Sequence, residues 1–267
     1  MKRVFLTGAS SGIGLATAHA LVAQGHEVWG TSRDPNRLPQ LKHFHPVQLD
    51  LRHHSEIDGV FVTCLREAGH FDVLINNAGS GHFGAAEFLP LPDIADQFQL
   101  LFFAPVRLMQ LALAEMRPRG TGLVINVTSL VGRLPVPFMA AYDAAKAAMS
   151  AFTMSIQIEL AHSRIRIVDL QPADIRTGFN DVVIKSGCDQ LYSARIAKTW
   201  DIVDRNLKEA PEPDLVARRM VKLIEQTSSA PRVTVGGLFQ AAIAPLIFRF
   251  LPQGLRIWGL RKYYHLE

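Results

Sequence analysis

Short apolar runs alternate with longer stretches of helical periodicity along this chain. Residues 3–6, 27–31, 47–49, 73–76, 123–127, 165–170 and 232–235 read as strands. Helical patterns fall between them, near 13–24, 55–68, 93–116, 140–162 and 213–227. Strands separated by helical crossovers predict βαβ units, and therefore a mostly parallel sheet with helices on both faces. The runs VLIN, LVINV and IRIVDL are continuously apolar or nearly so, which suits strands covered on both sides. The expected fold class is α/β, a doubly wound sheet of the Rossmann type in a single domain over residues 1–267. Two stretches depart from this rhythm. Residues 178–210 read as a substrate lid or binding loop, and residues 238–264 form an apolar C-terminal segment broken by Pro245 and Pro252.

Composition narrows the picture only slightly. The 267 residues suit one large domain, and 48% apolar residues can fill its core. A net charge of +4 arises from 28 basic and 24 acidic residues that are scattered rather than striped. That pattern argues for solubility and against nucleic-acid binding. Cys64 and Cys188 lie far apart and read as free thiols of a reducing compartment. No signal peptide is evident, because Lys2–Leu6 already reads as a strand, and no apolar run of membrane-spanning length is evident. A cytoplasmic location is the expectation.

Chemistry enters directly after the first strand, where Thr7-Gly8-Ala9-Ser10-Ser11-Gly12-Ile13-Gly14 opens the first helix. Glycines permit a tight turn and close backbone approach, and the helix N-terminus presents free N–H groups to a pyrophosphate. A glycine loop in that position of a βαβ series points to a dinucleotide. The second strand ends at Ser32-Arg33 with no acid to bind a ribose 2′-hydroxyl. Arg33 can pair with a 2′-phosphate, which favours NADP over NAD. Asp34 is expected to point away.

Further along, Tyr142 and Lys146 stand four residues apart in a helical stretch, with Ser129 thirteen residues before the tyrosine. Positions i and i+4 share a helix face. A cation there favours the phenolate. Lowering a tyrosine pKa from about 10 to about 7 requires roughly 4 kcal/mol. A cleft in which a cofactor cation also acts can supply that. A phenol so tuned is an acid/base for alcohol–carbonyl interconversion at neutral pH.

With these motifs in this order, the chain resembles the short-chain dehydrogenase/reductase family, in its hydroxysteroid-dehydrogenase-like branch. The likeness covers the TGASSGIG loop, Asp50-Leu51, Asn76-Asn77-Ala78-Gly79, Ser129, Tyr142/Lys146 and the stretch from Pro172 to Thr177. It implies a nicotinamide cofactor. Gly8, Ser10, Ser11, Gly12, Ile13, Gly14, Ser32 and Arg33 would bind it, Asp50 and Leu51 would flank the adenine, and Asn77, Ala78 and Gly79 would line the adenosine ribose. Thr128, Pro172, Ile175 and Thr177 would complete the cofactor site, and Lys146 would also hold the nicotinamide ribose. Ser129 would orient the substrate oxygen, Tyr142 would exchange its proton, and Lys146 would depress the tyrosine pKa. No metal is implied.

Two departures bear on this expectation. The family usually places an asparagine in the long helix after the NNAG turn, where it steadies a relay water. An ungapped count puts Leu101 there, and leucine cannot hydrogen-bond water. Gln97, one turn earlier, reads as a solvated helix residue or a partial substitute. Ala173 stands where a glycine commonly follows the proline. Both departures keep open an alternative, a regulatory protein that binds NADP(H) with weak or no turnover. A sugar-nucleotide epimerase would need a larger C-terminal domain.

The expected substrate walls are apolar, drawing on Phe83, Phe88, Leu134, Val136, Phe138, Met139, Phe179 and Val183. They favour a lipophilic alcohol or carbonyl. Residues 238–264 mix apolar positions with Arg249, Arg256, Arg261 and Lys262. The segment either lies on a membrane surface as a peripheral contact or packs over the cleft or a neighbouring subunit. Packing is the favoured reading. A homo-oligomer, dimer or tetramer, is expected.

Overall fold

The computed structural model describes residues 1–187 and 190–266, so Cys188 lies outside the described residues. Nine strands form among them: β1 (Arg3–Leu6), β2 (Glu27–Ser32), β3 (Phe44–Gln48), β4 (Val73–Asn76), β5 (His82–Phe83), β6 (Gly122–Val127), β7 (Ile165–Pro172), β8 (Ile184–Lys185) and β9 (Arg232–Val235). Seven build one sheet in the order β3-β2-β1-β4-β6-β7-β9, with every neighbouring pair parallel. The strands β5 and β8 pair separately, His82 against Ile184 and Phe83 against Lys185. The predicted doubly wound parallel sheet is therefore the observed one.

The continuous apolar runs explain this layering. In β1, Val4 and Leu6 face one side of the sheet while Phe5 faces the other, and all three are fully buried. On the Val4 side, α1 (Gly12–Ala23) and α7 (Asp214–Glu225) pack against each other through a core containing Leu21 and Met220. On the Phe5 side lie α2 (His54–Ala68), α3 (Leu91–Phe98), α4 (Ala104–Arg119) and α5 (Ala140–Glu159). There Phe5 meets Phe61 and Phe71 edge-on, with ring centroids 5.1 and 5.4 Å away.

Three elements differ from expectation. The edge strand β3 starts at Phe44, three residues earlier than expected, and contains Pro46. An edge position tolerates a proline because one row of ladder donors is unused. The helix near 93–116 runs continuously from Leu91 to Arg119, with a π-helical turn at Gln99–Phe103 joining α3 to α4. This corrects the expectation of no membrane-length apolar run, since its 29 residues are long and apolar enough to cross a bilayer. In this fold it packs against β4, β6 and α5 as a core helix. Finally, residues 178–210 are not one long loop. They carry a 3₁₀ turn at Asn180–Val182, β8, and the 17-residue helix α6 (Ser193–Glu209). The C-terminal segment is helical too, with a π turn at Phe239–Ile243, α8 (Ala244–Phe250) and α9 (Gln253–Tyr263).

Candidate active site

The chain winds outward from β1 to β3 and then returns to β4 on the other side of β1. That reversal opens a crevice at the carboxyl ends of β1 and β4, the place where doubly wound sheets bind ligands. Two loops meet there and clamp each other. The Thr7 hydroxyl accepts the backbone N–H groups of Asn77 (2.9 Å) and Ala78 (3.1 Å). In return, the Asn77 amide donates to the carbonyls of Thr7 (3.0 Å) and Gly8 (3.2 Å). Glycine is required for this contact. Gly8 has φ +70°, and a β-carbon on it would lie 2.8 Å from the Ala78 Cα. A β-carbon on Gly14 would lie 2.0 Å from the Gly8 carbonyl oxygen.

A single cavity of about 560 Å³ runs from this clamp to the C-terminal helices. Every cofactor-site residue predicted from the sequence borders it: Gly8, Ser10–Gly14, Ser32, Arg33, Asp50, Leu51, Asn77–Gly79, Thr128, Tyr142, Lys146, Pro172, Ile175 and Thr177. Ser129 borders it as well. The chemistry of the walls suits a dinucleotide. Ser11 precedes α1 without a side-chain cap, and the first turn holds no acid, so its N–H groups remain available to an anion. Two exposed arginines, Arg33 and Arg37, border the far end. Sequence reasoning missed Arg37, although a second cation four residues after the first was a visible signal. Asp34 also borders the cavity, contrary to expectation, and its carboxylate accepts the Asn36 N–H at 3.0 Å. Asp50 uses one carboxylate oxygen for the Arg52 N–H (3.0 Å). The Thr128 hydroxyl donates its proton inward to the Asp169 carboxylate.

At the other end stand Ser129, Tyr142 and Lys146. Ser129 follows β6 in an extended conformation, and its oxygen accepts the Val131 N–H at 3.2 Å. Tyr142 and Lys146 sit on the first turns of α5, one turn apart. The Lys146 ammonium donates to the Val127 carbonyl at 2.7 Å and lies 5.8 Å from the centre of the Tyr142 ring. Burial lowers the Lys146 pKa to about 8, against the opposing pull of Asp169. Burial also pushes the Tyr142 phenol above its ordinary 10.0, and the neighbouring Asp143 charge adds to this. A hydrogen bond with Ser129 pulls the other way. The Lys146 ammonium is turned to the Val127 carbonyl, and Ser129 provides the pull that opposes the rise of the phenol pKa.

The neighbourhood of Leu101 settles two further expectations. Leu101 is buried in the π turn, and a β-carbon on Gly79 would touch its Cδ2 at 3.4 Å. Neighbouring Leu100 is the residue of that turn that borders the cavity. Gln97 is not a solvated helix residue. It is buried, donates to the Ser80 carbonyl at 2.8 Å and accepts the His82 N–H at 2.9 Å. Gln99 donates to the Leu51 carbonyl at 3.0 Å. Both amides thus hold backbone rather than facing Lys146. The methyl of Ala173 is accommodated by Gly236, where a β-carbon would come within 2.5 Å of it.

Of the expected substrate walls, Val136, Met139 and Phe179 border the cavity. Phe83, Phe138 and Val183 form an apolar cluster behind them, and Phe88 is exposed. The roof falls in the two stretches read from the sequence as a lid (178–210) and as a segment packing over the cleft or a neighbouring subunit (238–264), although its individual residues were not singled out. It comes from Val203, Asn206 and Leu207 of α6 and from Tyr264, just past α9. Tyr264 is buried against Ile202 and Val203.

A family profile described as short chain dehydrogenase matches residues 2–186, and the chain belongs to that family of oxidoreductases. It is similar along almost its whole length to a 3-ketodihydrosphingosine reductase of Bacteroides thetaiotaomicron, 29% identical over 267 residues, 99% of this chain and 98% of the relative. An uncharacterised oxidoreductase of Escherichia coli K12 is 32% identical over 71% of each chain. Among solved structures, a short-chain dehydrogenase from Streptomyces avermitilis superposes with a TM-score of 0.82 at 29% identity, over 98% of this chain and 93% of its own. A metagenomic short-chain oxidoreductase in complex with NADP gives 0.71 at 27% identity, over 88% and 96%.

Proposed function

We propose that the chain is an NADP(H)-dependent oxidoreductase that interconverts a carbonyl and an alcohol on a lipophilic substrate, with Tyr142 as the acid/base. The observation that carries this reading is the continuity of one cavity from Arg33 and Arg37, past the uncapped N-terminus of α1, to Ser129, Tyr142 and Lys146. Arg33 and Arg37 would hold a 2′-phosphate, and the first turn of α1 the pyrophosphate. The bound nicotinamide supplies or accepts a hydride. Ser129 would hold the substrate oxygen beside the Tyr142 hydroxyl, which gives it a proton in reduction and takes one in oxidation. The NADP complex of the 27%-identical neighbour supports the cofactor choice. The apolar walls Val136, Met139 and Phe179 support a lipophilic substrate, as does the likeness to the Bacteroides 3-ketodihydrosphingosine reductase.

Purified protein mixed with NADPH and long-chain or cyclic ketones should consume NADPH, followed at its near-ultraviolet absorbance. Tyr142→Phe should lower kcat by at least about 100-fold, the scale of a lost general acid, while NADPH binding stays within about twofold by fluorescence, because the ring that borders the cavity remains. Near-normal turnover by Tyr142→Phe would remove the assigned acid/base. NADPH binding without consumption of any ketone in the panel would favour the regulatory alternative that Leu101 raises.

A further inference from the structure

The C-terminal helices present an apolar face to the outside. Of the nineteen exposed large apolar side chains among the described residues, ten fall between Leu238 and Tyr263. Along the continuous helix Phe239–Phe250, the exposed large apolar positions are Phe239, Ile243, Leu246, Ile247 and Phe250. Their spacing of four, three, one and three residues places them on one helix face. After the Pro252 break, α9 adds Leu255 and Trp258, each at least half exposed and three residues apart. The segment is also tied to the body of the protein. Gln240 donates to the Asp174 carboxylate at 2.7 Å, Asn206 donates to the Tyr263 hydroxyl at 2.8 Å, and Pro245 is buried. A face this apolar and this contiguous marks an interaction surface.

Charge identifies its occupant. Residues 238–266 contain Arg249, Arg256, Arg261 and Lys262 and no aspartate or glutamate. A second copy meeting this face through a two-fold axis would bring the same cations against themselves. An anionic bilayer surface complements them, with the apolar side chains entering the acyl boundary and the long basic side chains reaching the headgroups. The helix Phe239–Phe250 has 12 residues and ends at a proline-containing break, so it can lie in the interface but cannot span it. We propose that residues 238–263 dock this protein peripherally on anionic membrane. The placement also bears on substrate access. Tyr264 and Asp174, beside the two anchor points, border the cavity, so docking brings the cleft to the lipid surface.

Co-sedimentation with vesicles tests the proposal without requiring turnover, so its outcome is separate from that of the proposed reaction. The full chain should pellet with phosphatidylcholine/phosphatidylglycerol vesicles, bind phosphatidylcholine alone at least about tenfold more weakly, and detach as salt screens the attraction. Leu246→Glu/Phe250→Glu, at positions 59% and 75% exposed, should abolish pelleting while keeping the wild-type melting temperature. Arg249→Glu/Arg261→Glu should remove the preference for the anionic lipid and serves as the check if the first variant fails to fold. No pelleting by the wild type, or pelleting unchanged in a folded variant, overturns the proposal. So does a vesicle-free oligomer that Leu246→Glu/Phe250→Glu dissociates, because the face would then belong to a second copy.

Discussion

Asp143 buries a carboxyl group one position from Tyr142. One of its oxygens accepts the Val136 N–H at 2.9 Å, which ties the cavity wall to α5, and the other has no protein partner. Burial raises its pKa from the ordinary 3.8 to about 8, against the pull of the Val136 hydrogen bond. The unfolded chain releases this proton near pH 4 while the folded chain keeps it, so the folded state binds more protons between those values. Stability from this group is complete below about pH 4, falls as pH rises, and levels off above about 8. Asparagine keeps the Val136 hydrogen bond and cannot ionise. Asp143→Asn should therefore gain on the wild type as pH rises from 4 to 8, by at least about 2 °C in melting temperature, the shift that about 1 kcal/mol gives a chain of this size. Calorimetry at the two pH values checks it, and parallel profiles would refute the buried ionisation. Leu101 poses the opposite problem, an apolar side chain at the position where the family resemblance implies a relay amide. Leu101→Asn places a polar group in an apolar pocket at a cost of about 1–3 kcal/mol. We expect a lower melting temperature together with a higher kcat. An unchanged kcat would place the slow step elsewhere than proton supply.

At the scale of elements, legibility followed the strength of the local pattern. The strands at 3–6 and 73–76 were readable because each is a short, dense apolar run between turn residues, and 232–235 because Val233 and Val235 alternate with polar residues. The start of β3 was not, since His45 and Pro46 look like loop residues. Their strand is defined by tertiary contacts, including His45 stacked 4.1 Å from Trp29. In α6 the signal existed but was masked by the irregular sequence before it. Ile196, Thr199, Val203 and Leu207 recur at helical spacing along one side and meet the roof or the core. The strands β5 and β8 are two residues each, too short for any periodicity, and only their pairing defines them. The glycine loop, the NNAG turn and the Ser129/Tyr142/Lys146 set were legible because each must hold particular atoms at particular places, which restricts residue type. The roof was legible as two stretches, 178–210 and 238–264, but not residue by residue, because Val203, Leu207 and Tyr264 need only be bulky and apolar at one end, a requirement that ordinary core positions share.

The whole molecule joins two regions that the sequence keeps far apart. The cofactor half is built by residues before about 180 on a rigid parallel sheet, whereas the roof comes from α6 and the C-terminal segment. A ligand filling the cavity must therefore hold together elements that the unfolded chain leaves separate, and it stabilises only the folded state. At a free concentration of about 100 times Kd, such a ligand adds about 2.7 kcal/mol. For a chain of this size that corresponds to a rise in melting temperature of about 5–10 °C. NADPH should produce this shift. NADH at the same concentration should produce a clearly smaller one, because Arg33 and Arg37 would then face a hydroxyl where NADPH brings a phosphate. Arg33→Ser should shrink the NADPH shift toward that of NADH while leaving the NADH shift unchanged, since Arg33 is exposed and its side chain makes no hydrogen bond to the clamp between the glycine loop and the NNAG turn. Equal shifts from the two cofactors in the wild type would show that the arginine rim does not select between them.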